Sequence, residues 1–154
     1  MSGELPVDAW GAALSPERAP MQLNAYLHIV GGRCEEALKF YVSVFGGSYE
    51  ASRFGDRPDD SIPANWKDKI MHSTFTGGGI TFMAADTMPG NDGAVTDSNV
   101  SLTLSNNDAT EGERIFNALA DGGAVEVPFS KQFWGASFGM LVDRFEINWM
   151  VNSN

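Results

Sequence analysis

The chain has 154 residues, a usual length for one domain, and 43% of them are hydrophobic, so a disordered or fibrous protein is excluded. Twenty acidic and ten basic side chains give a formal net charge of −10, which repels nucleic-acid phosphates and anionic membrane surfaces. No apolar run approaches the roughly 20 residues of a membrane-spanning helix. We therefore expect a globular protein whose partners include neither nucleic acid nor a membrane.

The beginning of the chain differs in character from the rest. Residues 1–20 contain three prolines and no sustained period, which predicts an N-terminal tail that is disordered or draped over the body. Met21 follows directly and is an alternative biological start. The single cysteine, Cys34, cannot form an internal disulfide, and no signal pattern opens the chain. A reducing cytoplasm is the expected compartment.

The first half of the remaining chain predicts one strand, one helix and three further strands. The helix spans 34–45, with its apolar residues at helical spacing and with Glu35 and Glu36 in the first turn, where the helix dipole favours anions. Gly46 and Gly47 supply the left-handed residue that ends it. The strands are predicted over 23–30, 48–54, 69–76 and 80–86.

The second half repeats this order after a linker, 88–98, that is rich in Pro, Gly, Asn and Asp. Its helix has Asp108 or Thr110 as candidate cap and again ends at a glycine pair. Its strands are predicted over 99–106, 124–129, 133–143 and 147–152. The repeat predicts a single α+β domain over 21–154, in which two βαβββ modules, about 22–86 and 98–152, form curved mixed sheets around a cleft.

Three segments carry a resemblance to a known family: YLHIVGGRCEEALKFYVSVFGG at 26–47, MHSTFTGGGITFMAAD at 71–86 and FWGASFGMLVDRFEINWMVN at 133–152. With the doubled βαβββ order, they resemble the vicinal oxygen chelate superfamily of glyoxalase I, extradiol dioxygenases, and bleomycin and fosfomycin resistance proteins. Within it, the chain is similar to the PhnB-like group, whose members are often labelled demethylubiquinone methyltransferase-like. The resemblance implies the glyoxalase fold and a homodimer.

One short segment departs from the pattern of that group. The group usually has a glycine between the last two strands where this chain has Glu146, at the end of Asp143-Arg144-Phe145-Glu146. Glycine permits a positive φ there, which would cost a glutamate about 1 kcal/mol or more. The sequence therefore predicts either a different turn or a strained one.

The resemblance also implies four places for the ligands of a divalent metal. They fall on Tyr26, on Phe82 or Ala84 depending on strand parity, on Asn99 and on Met150. Tyrosine and asparagine offer an oxygen, but the other side chains remove two donors, and a partly filled shell rarely retains a transition metal. We therefore predict that no metal cofactor is held at this site.

Two histidines and one cysteine are the candidates for chemistry. His28 follows Tyr26 by two residues, so strand alternation places both on one face, and His72 shares a face with Thr74. Each imidazole is a candidate general base or ligand contact, or else a half-buried strand residue satisfied by a neighbour. Cys34 begins a helix, but acidic neighbours oppose a thiolate, so we expect it to be non-catalytic.

An aromatic cluster near the end of the chain has two interpretations. It would form an apolar wall for a ligand, with Trp134 facing the cleft and Lys131 or Arg144 available to an acidic group, or it would form a core or dimer contact. Its members are Phe129, Phe133, Trp134, Phe138 and Trp149.

The sequence thus predicts a protein that binds a small organic metabolite or xenobiotic in its cleft without the usual metal. The expected ligand contacts are Tyr26, His28, His72, Asn99, Trp134 and Met150. One alternative is a metal-dependent lyase, isomerase or dioxygenase that uses His28 and His72 with Glu126 or another carboxylate. Another is a metal-free enzyme with His28 as base.

Overall fold

The computed structural model describes residues 20–88 and 98–154. Nearly all of the predicted tail and of the predicted linker lies outside these ranges. Within them the elements follow the order βαβββ twice, and the two sheets are mixed, so the predicted α+β class with two modules is confirmed. No helix in the described ranges is long and apolar enough to cross a membrane.

Each module is a helix packed on a four-stranded sheet with the same strand order. The first sheet is ordered β1-β4-β3-β2 and the second β5-β8-β7-β6, with β1–β4 and β5–β8 as the parallel pairs. The first module contains β1 (Tyr26–Ile29), α1 (Cys34–Phe45), β2 (Ser48–Arg53), β3 (Ile70–Gly77) and β4 (Ile80–Asp86). The second contains β5 (Leu102–Asn106), α2 (Ala109–Ala120), β6 (Ala124–Lys131), β7 (Ser137–Val142) and β8 (Asn148–Ser153).

The two helices begin in different ways. Asp108 caps α2 locally, because its side chain accepts hydrogen bonds from the backbone N–H groups of Thr110 and Glu111. No side chain of the preceding residue caps α1. Instead Asp86, at the end of β4, accepts the N–H of Cys34 at 2.8 Å and that of Ile70 at 2.8 Å. A tertiary contact therefore replaces the local cap of α1.

The two modules share one hydrophobic core. Tyr41 of α1 contacts Phe82 of its own sheet edge-on at 5.4 Å between ring centroids, and Trp149 of the second sheet at 5.8 Å. Its hydroxyl donates to Asp143 of the second module at 2.6 Å. Buried side chains of β1, β3, β4, β7 and β8 belong to this shared core, whereas the edge strands β2 and β6 are mostly exposed. The side of the sheets opposite this core, which we call the outer face, carries the exposed Tyr26, His28 and His72 in the first sheet.

Some element boundaries differ from those predicted. The edge strands β1 and β5 are shorter, and β5 begins at Leu102 because its partner β8 begins only at Asn148, after the turn. Strand β7 begins at Ser137, because the residues before it form a turn in which Gln132 donates to Ala136 and Gly135 has a φ of 98°. The polar segment after β2 contains two short 3₁₀ turns.

Candidate functional site

A cavity of about 930 Å³ lies between the two modules. Its wall is formed by β1, by the chain leading into β5 and by the turn between β7 and β8. Asn148 helps to fix this wall, since its amide donates to the carbonyl of Val100 at 3.4 Å. The lining residues used below are Tyr26, His28, Val100, Leu102, Glu146 and Ile147. The volume is in the range of sites for small organic molecules.

Tyr26 lies between the two histidines on the outer face of the first sheet. Its ring centroid is 5.1 Å from that of His28 and 5.7 Å from that of His72. His28 pairs with Ala85 of β4. Ser73 of β3 pairs with Ala84, so the antiparallel register places His72 opposite Ala85 as well. Ala85 therefore lies between the two histidines. The sequence correctly placed Tyr26 and His28 on one face.

A hydrogen bond of 3.2 Å joins the hydroxyl of Tyr26 to Nδ1 of His72. Partial burial raises the pKa of Tyr26 above 10.0, with a smaller contribution from Cys34, so the phenol keeps its proton at neutral pH. The His72 tautomer sets the direction of this bond: the phenol donates to an unprotonated Nδ1, and a protonated Nδ1 donates to the phenol oxygen. Such a pair is able to donate and accept protons toward a bound molecule.

The pairing of β1 with β4 and of β5 with β8 identifies equivalent residue positions in the two sheets. Tyr26 pairs with Met83 in the first sheet, and Thr103 pairs with Met150 in the second, where the Thr103 hydroxyl lies 3.8 Å from the sulfur of Met150. Two oxygens and two thioethers are a poor donor set for zinc, iron or nickel. Within the described ranges, no cluster of three His, Cys, Asp or Glu side chains is placed to bind a metal.

Two predicted ligand places are wrong, because strand parity and strand length differ from the prediction. Phe82 and Ala84 are buried on the core side of β4, whereas Met83 points to the outer face. Asn99 is exposed and precedes β5, so it is not a strand position. The alternating apolar residues of β4 were the signal for parity, since Phe82 and Ala84 continue the pattern of a core face.

The side chains of the alternative metal site, His28, His72 and Glu126, do not lie together. Glu126 lies exposed on β6, the far edge of the second sheet, whereas His28 and His72 lie on the first sheet. Cys34 is fully buried, and burial, followed by the charge of Asp86, raises its pKa to about 12. It is therefore a thiol at neutral pH, which agrees with a structural role.

The aromatic cluster is divided between core and surface. Trp149 is buried between the modules, and Phe129 packs on Phe116 at 5.6 Å. Trp134 is 54% exposed in the β6–β7 turn, in contact with Phe133. It does not line the cavity formed by the described residues, and its predicted role as a ligand contact stays a prediction. Its ring centroid lies 6.2 Å from that of Phe138 on β7.

The two basic residues of that prediction also lie elsewhere. Lys131 is exposed at the end of β6. Arg144 forms an ion pair with Asp121 and stacks over Phe40 at 4.4 Å. Neither lines the cavity that the described residues form, so no cation from this pair is offered to an acidic ligand there.

Glu146 is the lining residue whose importance the sequence did not reveal. It has a φ of 68°, so the turn keeps the conformation usual for glycine and a glutamate adopts it. This conformation costs a residue with a Cβ about 1 kcal/mol. The departure from the group pattern was the available signal, but only the structure shows that Glu146 reaches the cavity.

Comparison with known proteins establishes the family. The family model described as 3-demethylubiquinone-9 3-methyltransferase matches residues 24–152, and the chain belongs to this family. The PhnB-like group predicted from the sequence is thereby confirmed. The described residues contain one parallel strand pair in each sheet and no G-x-G-x-x-G loop, so they lack the usual nucleotide-binding unit for a methyl donor.

Individual relatives are similar over most of their length. Protein YjdN of Escherichia coli (strain K12) is 30% identical over 143 residues, covering 86% of this chain and 95% of that protein. The crystal structure of protein PA1353 from Pseudomonas aeruginosa has a TM-score of 0.71 and 41% identity, covering 86% and 98%. A glyoxalase/bleomycin resistance protein/dioxygenase family enzyme from Burkholderia phytofirmans PsJN has a TM-score of 0.55 and 12% identity, covering 84% and 96%, and supports the fold alone.

Proposed function

We propose that this protein binds a small, partly apolar organic molecule in the cavity between its modules, without a transition metal. The observation that carries the proposal is a cavity of about 930 Å³ whose wall combines apolar side chains with a few polar groups from β1 and the β7–β8 turn. This composition is typical of sites in which apolar contacts supply affinity and a few polar groups fix orientation.

The donor set supports the metal-free part of the proposal. Tyr26, Met83, Thr103 and Met150 occupy the matching places of the two modules and offer no imidazole or carboxylate. Elemental analysis of protein purified without chelators tests this part. We expect less than one tenth of an equivalent of zinc, iron, nickel or manganese per chain, and one equivalent would overturn it.

Ligand binding is tested by blocking the cavity. Native mass spectrometry of the purified protein, followed by thermal-shift screening of organic molecules, identifies binders. Val100 is 64% exposed and lines the cavity, so Val100→Trp fills space without disturbing the core. Val125 is 50% exposed on β6 and makes Val125→Trp a matched control. We expect the first variant to lose binders and the second to keep them; equal binding by both would contradict the proposal.

A second candidate function is metal-free proton transfer at the edge of the same cavity. The hydrogen bond between Tyr26 and His72, with His28 on the other side of the phenol ring, favours it. Once a binder is known, turnover of carbonyl-containing relatives of that binder is measured for wild type, Tyr26→Phe and His28→Ala. Loss of turnover with retained binding supports catalysis. Binding without turnover in the wild type identifies a binding protein.

We also propose that the protein forms a homodimer in the cytoplasm. Phe133 is 97% exposed beside Trp134, an unusual exposure for two large aromatic side chains. A second copy that covers this turn would remove them from water. Light scattering during size-exclusion chromatography gives the mass, and Phe133→Ser with Trp134→Ser is expected to shift a dimer to a monomer. A monomeric wild type would overturn the dimer.

A further inference from the structure

The carboxylate of Glu146 is placed without a function in the fold itself. The turn from Asp143 to Ile147 is closed by backbone groups, with the N–H of Glu146 donating to Asp143 at 2.9 Å and that of Asp143 donating to Ile147 at 2.9 Å. The side chain of Glu146 is exposed and forms no ion pair with any residue that the structure describes. The fold therefore gains nothing visible from a glutamate at this position.

The nearby cations are already neutralised by other carboxylates. Arg33 pairs with Glu36 at 3.0 Å, and Arg144 pairs with Asp121 at 3.2 Å. The two guanidinium groups also stack on aromatic rings, which fixes them beside α1. The negative charge of Glu146 is consequently left to act on the cavity.

The cavity has a wall whose other described residues carry no permanent charge. Leu102 and Ile147 are apolar, Tyr26 presents an aromatic ring and a phenol, and His28 presents an imidazole. Glu146 is the one acidic side chain among the described lining residues, which include no lysine or arginine. A molecule with an apolar body and one positive charge matches this wall. The formal net charge of −10 adds a long-range attraction of the same sign.

We propose that the cavity selects small organic cations, of the class of apolar amines, and that Glu146 determines this specificity. The inference rests on the proposed function, because it names the class of molecule that the cavity takes. The ammonium group would face Glu146, and the apolar part would contact the aliphatic wall and the ring of Tyr26. Aromatic faces also favour cations, so the two contacts act in the same direction.

The test compares three probes of matched size and different charge: phenethylamine, phenethyl alcohol and phenylacetate. Affinities are measured by NMR titration at constant ionic strength, because exposed charges are screened by salt. In the wild type we expect the amine to bind about tenfold more tightly than the alcohol, and the acid to bind most weakly. In Glu146→Gln we expect the amine to lose about tenfold and the alcohol to be unchanged.

A matched control separates a local charge from the net charge. Glu113 is exposed on α2 and lines no described part of the cavity, so Glu113→Gln changes the net charge equally. We expect its amine affinity to equal that of the wild type; an equal loss in both variants would overturn a local role for Glu146. Equal affinity of the wild type for all three probes would overturn cation selection and leave the cavity function standing. Binding by none of them would overturn selection of apolar amines, whereas the cavity function is decided by the separate screen with Val100→Trp.

Discussion

The turn between β7 and β8 has two ends that face different surroundings. At one end, Asp143 is 2% exposed and accepts four hydrogen bonds, from the hydroxyl of Tyr41, the indole of Trp149 and the N–H groups of Phe145 and Ile147. At the other end, Glu146 is exposed at the cavity wall with a positive φ. Only two residues separate Asp143, whose carboxylate is fully hydrogen-bonded, from Glu146, whose backbone is strained.

Asp143 and Glu146 illustrate two different reasons for an acidic residue in this turn. The surroundings of Asp143 explain its carboxylate, since the hydroxyl of Tyr41 and the indole N–H of Trp149 would otherwise be buried without an acceptor. Nothing that the described fold contains explains Glu146, whose backbone conformation favours glycine. Strain that the fold does not require is a reason to look for a ligand.

The largest effect is expected at the buried end of the turn. Asp143→Ala leaves the hydroxyl of Tyr41 and the indole N–H of Trp149 without an acceptor, so we expect the free energy of unfolding to fall by about 3 kcal/mol or more. Urea denaturation measures it. Asp121→Ala removes an exposed carboxylate that pairs with Arg144 and is the control, with an expected loss below about 1 kcal/mol. Similar losses in both variants would remove the distinction.

A smaller effect of the same network depends on pH. Burial, together with the charge of Asp143, raises the pKa of Tyr41 well above 10.0. The folded protein then keeps a proton that the unfolded chain releases, so this stability is complete below about pH 10 and is lost as pH rises further. We expect Tyr41→Phe to cost about 1 kcal/mol at pH 7 through the lost hydrogen bond.

The effect at alkaline pH is measured as the difference in the free energy of unfolding between the wild type and Tyr41→Phe. Above about pH 10, the wild type loses up to about 1.4 kcal/mol per pH unit through Tyr41, and Tyr41→Phe lacks this loss. Cys34, whose pKa is raised from 9.0 to about 12, lowers stability above pH 9 in both proteins and cancels. Denaturation between pH 8 and 11, values chosen around the Tyr41 reference of 10.0, gives both curves. If the stability curves of the wild type and Tyr41→Phe ran parallel across this pH range, the raised pKa of Tyr41 would be contradicted.

The sequence predicted the fold where the pattern of apolar residues was local and regular. Helix α1 was predicted at its observed limits, Cys34–Phe45, because its apolar residues keep helical spacing between Arg33 and a glycine pair. Alternation in β1 likewise placed Tyr26 and His28 together. These patterns lie within one helix or strand, so they predict that element without knowledge of what it packs against.

The sequence did not predict structural features that depend on contacts between elements. The cavity lies where β1 meets the β7–β8 turn, which strand order within each module does not specify. Trp134 was expected at the cleft as part of an aromatic cluster, but it lies in the turn between the paired strands β6 and β7, outside the lining of this cavity. The hydrogen bond between Tyr26 and His72 joins residues 46 positions apart. Such contacts require the assembled sheet.

The smallest effect is expected at the strained end of the turn, and its sign is opposite. Glu146→Gly should raise the free energy of unfolding by about 1 kcal/mol, because glycine adopts a φ of 68° without a Cβ penalty. Glu146→Ala keeps the Cβ and is expected to change stability little, so the two variants separate strain from charge. Because both remove the carboxylate, both should lose preference for the amine probe. A glycine variant that is more stable yet less selective would mean that Glu146 is retained for binding at the expense of stability, whereas a less stable one would show that the glutamate supports the turn.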